Sequence, residues 1–388
     1  MTRILLFSPY EPPPNGVASH SSRLVAAWDS AGHTVLVVSP SGGRGLDRIE
    51  RIGSRSTLIR SLGPFPNRRT LSEIAKFEPE IVIVQFAIAA ISTSLWSVKL
   101  LCDRLRAQGI RVIVTFHEPN REYNMFGFLT RAIYRSVSRA TDVSIVFSPA
   151  GYQALHDTGL FSDVVEVPHG TKGIESISNQ ELEDARVLFD VRKPLVLTLG
   201  FTSFDKGADI LIDAAKIISK SRDGNVQFLV AGAPRRRRGI FRIMERRDKK
   251  CQRRLIDQAK GLGNVELSFS DYVANEHVAP LLHLADVVVL PYRRITQSGI
   301  ANLALSSQSV IVCSDLPGLR NDLGDAALYV KVGDTAALAN EIAKLINPES
   351  EETRSHMRDL AGQRANENTY AKVAEQILSA GLASPSSQ

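Results

Sequence analysis

Short apolar runs recur along the 388-residue chain and alternate with longer segments in which the apolar residues are three or four positions apart. Continuous apolar runs are typical of β-strands that are covered on both faces, whereas the wider spacing is typical of helices. In the first half the runs are residues 3–7, 34–39, 81–86, 111–116 and 142–148. Strand and helix in alternation predict an α/β protein with a parallel, doubly wound sheet.

The same alternation starts again in the second half of the chain. Its predicted strands are residues 193–201, 226–233, 265–270, 285–292, 309–315 and 326–330. Because 388 residues exceed the usual span of one hydrophobic core, the sequence predicts two domains. We expect an N-terminal domain at 1–185, a C-terminal domain at 186–365, and a helix and tail at 366–388 that pack back toward the N-terminal domain.

Composition narrows the class of protein. Apolar residues make up 44% of the chain and charged residues 23%, which indicates a globular protein. Cys102, Cys251 and Cys313 have no metal-ligand spacing, so we expect a reducing compartment and neither a zinc site nor a disulfide framework. The N-terminus lacks the apolar core of a signal peptide, and no segment approaches the ~18 apolar residues of a membrane span. A cytoplasmic location is the expectation.

One segment carries most of the chain's positive charge. Residues 234–255 contain eleven Lys and Arg and two acidic residues, a net charge of +9 against +6 for the whole chain. A solvated helix face and a site for an anionic membrane surface are the two interpretations of this segment. The membrane interpretation uses Arg235, Arg236, Arg237 and Arg238. Nucleic-acid binding is disfavoured because no recognition motif accompanies the charge.

Loops that follow the strands of open α/β sheets bind ligands near the topological switch point, so the chemistry is expected there. In the first half this rule selects Gly16 before the first helix, His117 and Glu118 after the fourth run, and His169 in another strand-end loop. A histidine in such a loop can exchange a proton or bind a sugar hydroxyl. An ordinary turn is the alternative interpretation for Gly16 and for both histidines.

In the second half, Lys206 stands at the start of a predicted helix, where a cation beside free backbone N–H groups suits a phosphate. A second helix start, formed by Gln297, Ser298, Gly299 and Ile300, offers a hydroxyl, a glycine and further N–H donors. Two such sites in one domain favour a diphosphate ligand. A merely solvated lysine is the alternative for Lys206.

Five stretches together resemble one known family. They are "PPPNGVASHSSRLVAAWDSAGHTV", "VTFHE", "VPHG", "LGFTSFDKGADILIDAA" and "ADVVVLPYRRITQSGIANLALSSQSVIVCSDLPGL". In order and spacing they are similar to the retaining glycosyltransferases of family four, and the match spans nearly the whole chain. The resemblance implies the GT-B fold, in which two Rossmann-like domains face each other across a cleft. It also implies a nucleotide-diphosphate-sugar donor held by the C-terminal domain and a glycan, lipid-linked or small-molecule acceptor held by the N-terminal domain.

The resemblance assigns roles to single residues. Lys206 would meet the donor phosphates together with Gln297, Ser298, Gly299 and Ile300, and Gly16 would lie near the diphosphate. His117 and Lys206 would be the catalytic residues, and Glu118 and His169 would contact the acceptor or the sugar. Such enzymes retain the anomeric configuration through an oxocarbenium-like transition state, and the resemblance implies no metal or other cofactor.

Two departures from the family pattern involve three positions. Phe201 follows Gly200 where the family usually has an arginine, and the family's paired glutamates align with Ile295 and Leu303. Polar side chains that offer alternative contacts are Thr296, Gln297 and Asn302. The second hypothesis is therefore a non-catalytic homologue that binds nucleotide sugar or glycan, or supports a partner enzyme. A third is a lipid- or nucleic-acid-binding protein that acts through the arginine tract.

Overall fold

The computed structural model describes residues 1–12, 16–40, 49–91, 94–123, 125, 127–200, 203–221, 225–233, 242–258, 265–270, 273–295 and 298–382. The chain divides into two compact units. Unit 1 comprises Met1–Gly170 with Tyr370–Gln388, and unit 2 comprises Thr171–Thr369. Among the described residues, none of the helices combines the length and apolarity that a membrane crossing requires.

Unit 1 is built on an eight-stranded sheet with the order β3-β4-β2-β1-β5-β6-β7-β8. The strands are β1 (Arg3–Phe7), β2 (Thr34–Pro40), β3 (Ile49–Arg51), β4 (Ser56–Leu62), β5 (Ile81–Phe86), β6 (Arg111–Phe116), β7 (Val143–Val146) and β8 (Val164–Glu166). All neighbours are parallel except β3 and β4 at one edge. The helices are α1 (Gly16–Ser30), α2 (Arg68–Phe77), α3 (Ile88–Ile91), α4 (Leu95–Arg106), α5 (Pro119–Glu122), α6 (Phe128–Ser138) and α7 (Pro149–His156).

Both faces of this sheet are covered, as the continuous apolar runs predict. All six residues of β5 are buried, and the five apolar ones alternate between two apolar clusters. One cluster joins Val82 and Val84 to the buried sides of α2, α4 and α6. The other joins Ile81 and Ile83 to α1 and to the last helix of the chain.

Unit 2 is built on a six-stranded parallel sheet with the order β11-β10-β9-β12-β13-β14. The strands are β9 (Leu195–Leu199), β10 (Val226–Ala231), β11 (Val265–Ser270), β12 (Val287–Leu290), β13 (Ile311–Ser314) and β14 (Ala327–Val330). The helices are α8 (Asn179–Leu188), α9 (Ala208–Ser221), α10 (Arg242–Gln258), α11 (Asn275–Leu284), α12 (Gly299–Ser306), α13 (Pro317–Leu323), α14 (Thr335–Leu345) and α15 (Glu351–Glu367). Short 3₁₀ turns occupy Phe204–Lys206, Gly324–Ala326 and Pro348–Ser350.

The boundary between the units differs from the one expected at residues 185 and 186. Residues 171–185 belong to unit 2, and the chain passes into that unit after Gly170. The backbone N–H of Glu175 donates to the carbonyl of Ser306 at 3.0 Å, and Phe189, just after α8, packs on the apolar cluster of the second sheet. These long-range contacts decide the boundary, and the sequence pattern does not contain them.

The final helix, α16 (Tyr370–Leu382), returns to unit 1. Val373, Ala374 and Ile377 are buried in the same cluster as Trp28. The indole N–H of Trp28 donates to the carbonyl of Ala374 at 3.0 Å. Residues 366–369, which the sequence analysis grouped with this helix, belong to unit 2.

Candidate functional site

The topological switch point of unit 2 lies between β9 and β12, where the strand order reverses. Ligands of open α/β sheets bind outside the carboxyl ends of the strands at this point. Gly200 directly follows β9, and Pro291 directly follows β12. Lys206 and the start of α12 come from these same two connections, so the sheet brings the predicted donor-binding residues to one edge.

Lys206 ends the 3₁₀ turn after β9, and its ammonium lies over the ring of Tyr292 at 3.6 Å from the centroid. Gly207 has a φ of +64°, and a Cβ there would lie 1.9 Å from the carbonyl oxygen of Pro291. Only glycine fits at this close approach, which ties the turn after β9 to the turn after β12. A cation over an aromatic ring is stabilised while its N–H groups can still donate to a ligand.

Two arginines of the β12 turn are engaged in ion pairs within the protein. Arg293 holds Asp209 through two hydrogen bonds of 2.7 and 2.6 Å, and it also donates to the carbonyl of Phe204 at 2.9 Å. Arg294 donates to Asp205 at 3.0 Å. These pairs join the same two turns, so we interpret the arginines as structural supports of Lys206.

The start of α12 is held by side chains on both sides. The hydroxyl of Ser298 accepts from the N–H of Ala301 at 3.2 Å, and the N–H of Ser298 donates to Asp322 at 3.2 Å. Ser298 is buried, and the sequence analysis expected its hydroxyl or N–H at the phosphate. In the structure both groups have partners inside the protein. The described residues record no hydrogen bond from the N–H groups of Gly299 and Ile300, which are therefore the available anion donors.

Asp322 in α13 holds the start of α12, and the sequence analysis did not select it. Burial raises the pKa of this carboxyl to about 7, while the Ser298 N–H and the charge of Arg364 act in the opposite direction. Arg364 also donates to the backbone carbonyl of Asp322 at 3.2 Å. The segment "LRNDLGD" contains no pattern that predicts a buried carboxylate beneath another helix.

The corresponding edge of unit 1 carries histidines. His117 directly follows β6, its N–H donates to the carbonyl of Phe86 at 3.1 Å, and its Nε2 lies 2.8 Å from Oε1 of Gln85. His20 from α1 packs between His117 and His169, with ring centroids 5.4 and 5.0 Å away. The three rings form a histidine cluster.

Aromatic side chains complete the histidine cluster. Phe147 contacts all three imidazoles at centroid distances of 5.0 to 5.4 Å. The hydroxyl of Tyr370 lies 3.2 Å from Nδ1 of His20. His20 was not selected from the sequence, although a histidine on the apolar side of a helix four residues after Gly16 was the available signal.

The histidine cluster is neutral at physiological pH. Burial lowers the pKa of His117 to about 3, and His169 acts in the same direction. Burial also lowers the pKa of His169 and places that of His20 well below its usual range, with further lowering from the other two histidines. Nε2 of His20 and Nε2 of Gln85 are buried and have no hydrogen-bond partner among the described residues. The cluster therefore offers uncharged hydrogen-bonding groups.

Two family models match the chain, one in each half. The model described as "Glycosyltransferase Family 4" matches residues 14–171, and the model described as "Glycosyl transferases group 1" matches residues 193–348. The chain belongs to the family 4 glycosyltransferases. It is a GT-B enzyme that uses a nucleotide-diphosphate-sugar donor.

Solved structures share the fold of this glycosyltransferase at low identity. Sucrose-phosphate synthase from Thermosynechococcus elongatus is 18% identical with a TM-score of 0.69, and the match covers 97% of each chain. A Burkholderia xenovorans α,α-trehalose-phosphate synthase in complex with glucose-6-phosphate is 13% identical with a TM-score of 0.72, covering 97% of this chain and 99% of that one. An E. coli trehalose-6-phosphate structure bound with UDP-2-fluoro glucose is 13% identical with a TM-score of 0.70, and the match covers 99% of this chain and 100% of that one. No curated protein sequence matches the chain.

In this glycosyltransferase, apolar packing replaces the two carboxylates of the family pattern. Ile295 and Leu303 are partly buried against the apolar cluster that also contains Leu290 and Ala304. Asn302 is buried in the first turn of α12. Thr296, Gln297 and Phe201 lie outside the described residues, as do Arg235, Arg236, Arg237 and Arg238.

The remaining predicted residues lie in unit 1 of the glycosyltransferase. Gly16 is the exposed first residue of α1, and a Cβ there would meet no atom within 4 Å. Glu118 precedes α5, and its carbonyl accepts from the N–H of Glu122 at 2.9 Å. In the described part of the chain, no group of three His, Cys, Asp or Glu side chains could hold a metal ion.

Proposed function

We propose that the donor diphosphate binds at the edge of unit 2 formed by Lys206 and the start of α12. The observation that carries this proposal is the position of Tyr292. Its ring supports the Lys206 ammonium at 3.6 Å, and its hydroxyl lies 3.4 Å from the hydroxyl of Ser298, the N-cap of α12. One buried side chain therefore positions both the cation and the helix start that a diphosphate requires.

Transfer with retention of anomeric configuration follows from this arrangement in our proposal. As the bond from sugar to phosphate breaks, negative charge grows on the departing nucleoside diphosphate and positive charge grows on the sugar ring. The Lys206 ammonium and the N–H groups of Gly299 and Ile300 stabilise the departing anion, without a metal ion. No protein nucleophile enters this scheme, and preorganised charges supply the rate enhancement.

The histidine cluster supports a neutral ligand on unit 1. With Oε1 of Gln85 accepting from Nε2–H of His117, the other ring nitrogen is left as an acceptor for a hydroxyl group. We propose that His117 contacts the donor sugar, and that His169 and Glu118 contact the sugar or the acceptor. A glycan, a lipid-linked saccharide or a small polyol fits such uncharged groups.

A cytoplasmic enzyme that works at the inner face of the membrane is part of the same proposal. The residues proposed for this contact are Arg235, Arg236, Arg237 and Arg238, and the net charge of +9 in residues 234–255 supports it. Charge reversal of these four residues should weaken the binding of the protein to anionic vesicles.

A ligand screen with a turnover assay tests the proposed function. The purified protein is heated with UDP, GDP, ADP, CMP and their sugars, and each ligand that stabilises it is then assayed for release of free nucleoside diphosphate. A ligand at 100 times its Kd should add ~2.7 kcal/mol of stability. Diphosphate-specific stabilisation with hydrolysis is the expected result. Binding without release would instead indicate the non-catalytic homologue, and a response to no diphosphate would overturn the proposed site.

A further inference from the structure

Helices α2, α4 and α6 lie side by side on one face of the unit 1 sheet. Ile74 of α2 and Leu101 of α4 line one cavity, and Val98 of α4 and Val137 of α6 line another, so α4 is the middle helix. Each helix follows the carboxyl end of a parallel strand, so all three begin at the same edge of the unit.

Large apolar side chains are exposed where these helices begin. Phe128 is 85% exposed, Phe65 is 74% exposed and Trp96 is 63% exposed. All members of the set lie within five residues of the first residue of one of the three helices: Phe65, Trp96, Leu100, Met125, Phe128 and Leu129. Single exposed apolar residues are common on soluble proteins, but a group at three adjacent helix starts marks an interaction surface.

Basic side chains outnumber acidic ones around this surface, where Lys99 is ion-paired with Asp103. Residues 63–69, 94–100 and 125–135 contain no Asp or Glu, whereas their basic residues are Arg68, Arg69, Lys99, Arg131 and Arg135. Phe128, Arg131 and Arg135 follow one another at helical spacing on the exposed side of α6. Aromatic side chains beside Lys and Arg suit the headgroup region of an anionic bilayer.

We propose that the exposed group from Phe65 to Leu129 is a lipid-docking surface that binds anionic bilayers. The aromatic and aliphatic side chains enter the headgroup region, and the surrounding basic side chains contact lipid phosphates. The charge pattern favours a lipid surface over a second copy of the chain, because two copies of this surface would bring like charges together. The proposal does not depend on the donor site in unit 2 or on the arginine tract.

Trp96 makes the binding directly measurable. The chain has two tryptophans, and the other, Trp28, is 1% exposed and hydrogen-bonded to α16. The full chain is titrated with vesicles of phosphatidylcholine and phosphatidylglycerol in a 7:3 ratio, and with vesicles of phosphatidylcholine alone. We expect a blue shift of tryptophan emission and flotation of the protein with the anionic vesicles, both reduced at high salt. Unchanged emission together with no flotation would overturn the proposal.

A matched pair of double variants assigns the binding to this surface. Trp96→Ser with Phe128→Ser should weaken flotation with anionic vesicles by about tenfold or more, because two inserted aromatic groups are lost. Val187→Ser with Leu188→Ser is the control, since these residues of α8 are 72% and 60% exposed but lie in unit 2. Both variants should keep the thermal response to the donor, which separates this test from that of the proposed function.

Two further outcomes would overturn the lipid assignment. One is a Trp96 and Phe128 double variant that floats as well as the parent chain, while charge reversal of residues 235–238 abolishes flotation. The other is a parent chain that dimerises without vesicles and becomes monomeric in the double variant, measured by light scattering. That result would assign the surface to a second copy of the chain.

Discussion

The sheet of each unit reverses its strand order at one point, but the edge at this point is cationic in unit 2 and uncharged in unit 1. In unit 1 the order reverses between β1 and β5, and in unit 2 it reverses between β9 and β12. The edge of unit 2 carries the Lys206 ammonium and the N–H groups of Gly299 and Ile300, for which no partner is found in the described part of the chain. The edge of unit 1 carries His20, His117 and His169, all kept neutral by burial.

This contrast shows what the fold decides and what the side chains decide. Parallel strands with a reversal of order place a crevice at the same point in both units. The side chains after the strands then determine whether the crevice suits an anion or a neutral polyol. The proposed function uses both, because a donor diphosphate needs the cationic edge and sugar hydroxyl groups fit the uncharged one.

Acid should destabilise unit 1 through the histidine cluster, and this is the largest effect we expect. His20 and His117 have folded-state pKa values below the unfolded value near 6.5, so the unfolded chain binds more protons below that pH. Stability is therefore full above pH 6.5 and falls as the pH is lowered through 6.5 toward 3. Each histidine should lower the unfolding free energy by ~1.4 kcal/mol for each pH unit in this range. Urea unfolding between pH 7 and 5 measures the effect, and His20→Gln should reduce its slope.

Glycines at the start of the helix that follows the first strand of each unit should respond differently to substitution by alanine. Gly207→Ala in unit 2 should cost about 3 kcal/mol or more in unfolding free energy, because the new Cβ would meet the Pro291 carbonyl in a left-handed backbone. Gly16→Ala in unit 1 meets no atom within 4 Å and should leave the unfolding free energy within ~0.5 kcal/mol. Equal losses of unfolding free energy in the two variants, measured by urea unfolding, would show that Gly207 does not lie this close to the Pro291 carbonyl.

Charge removal should separate the two edges in a binding experiment. Lys206→Ala should weaken binding of the donor nucleoside diphosphate by about 2 to 3 kcal/mol, because a charged partner of the phosphates is lost. His117→Ala should leave the same affinity nearly unchanged while lowering transfer. Titration calorimetry gives both values, and Lys220→Ala on the exposed end of α9 is the control for loss of a lysine. If His117→Ala weakens diphosphate binding and Lys206→Ala does not, the diphosphate site is in unit 1 and the proposed assignment to unit 2 is wrong.

Asp322 should give unit 2 the opposite pH response. Its folded-state pKa of about 7 lies above the unfolded value, so its contribution is full below pH 4 and is lost as the pH rises through 7. Asp322→Asn keeps an acceptor for the Ser298 N–H and removes the titration. The unfolding free energy of the variant, relative to that of the parent, should rise by about 2 kcal/mol from pH 5 to pH 8. Thermal unfolding of the variant and the parent at pH 5 and pH 8 measures this change. A stability difference between the two proteins that is the same at both pH values would show that the Asp322 carboxyl does not titrate in this range.

The sequence predicted the features of the site that depend on local order. His117 was identified because it directly follows a strand, and Lys206 because it stands at the start of the helix after the next domain's first strand. The strands themselves follow from continuous apolar runs. The contacts that hold these residues were not predictable, because they join distant parts of the chain. His20 meets Tyr370 across 350 positions, and Ser298 meets Asp322 only when α13 has packed beside α12. The unit boundary at Gly170 was missed for the same reason.

The return of α16 to unit 1 makes the order of synthesis matter. Trp28 and the apolar side of α1 find their partners in Val373, Ala374 and Ile377 only after unit 2 has been translated. At 5 to 20 residues per second, the intervening Thr171–Thr369 takes about 10 to 40 s to emerge. During that interval a ribosome-bound chain exposes the part of its first sheet and of α1 that α16 later covers, which is a target for a chaperone. Unit 2, whose residues are contiguous, has no such wait and can complete its core before the unit that precedes it.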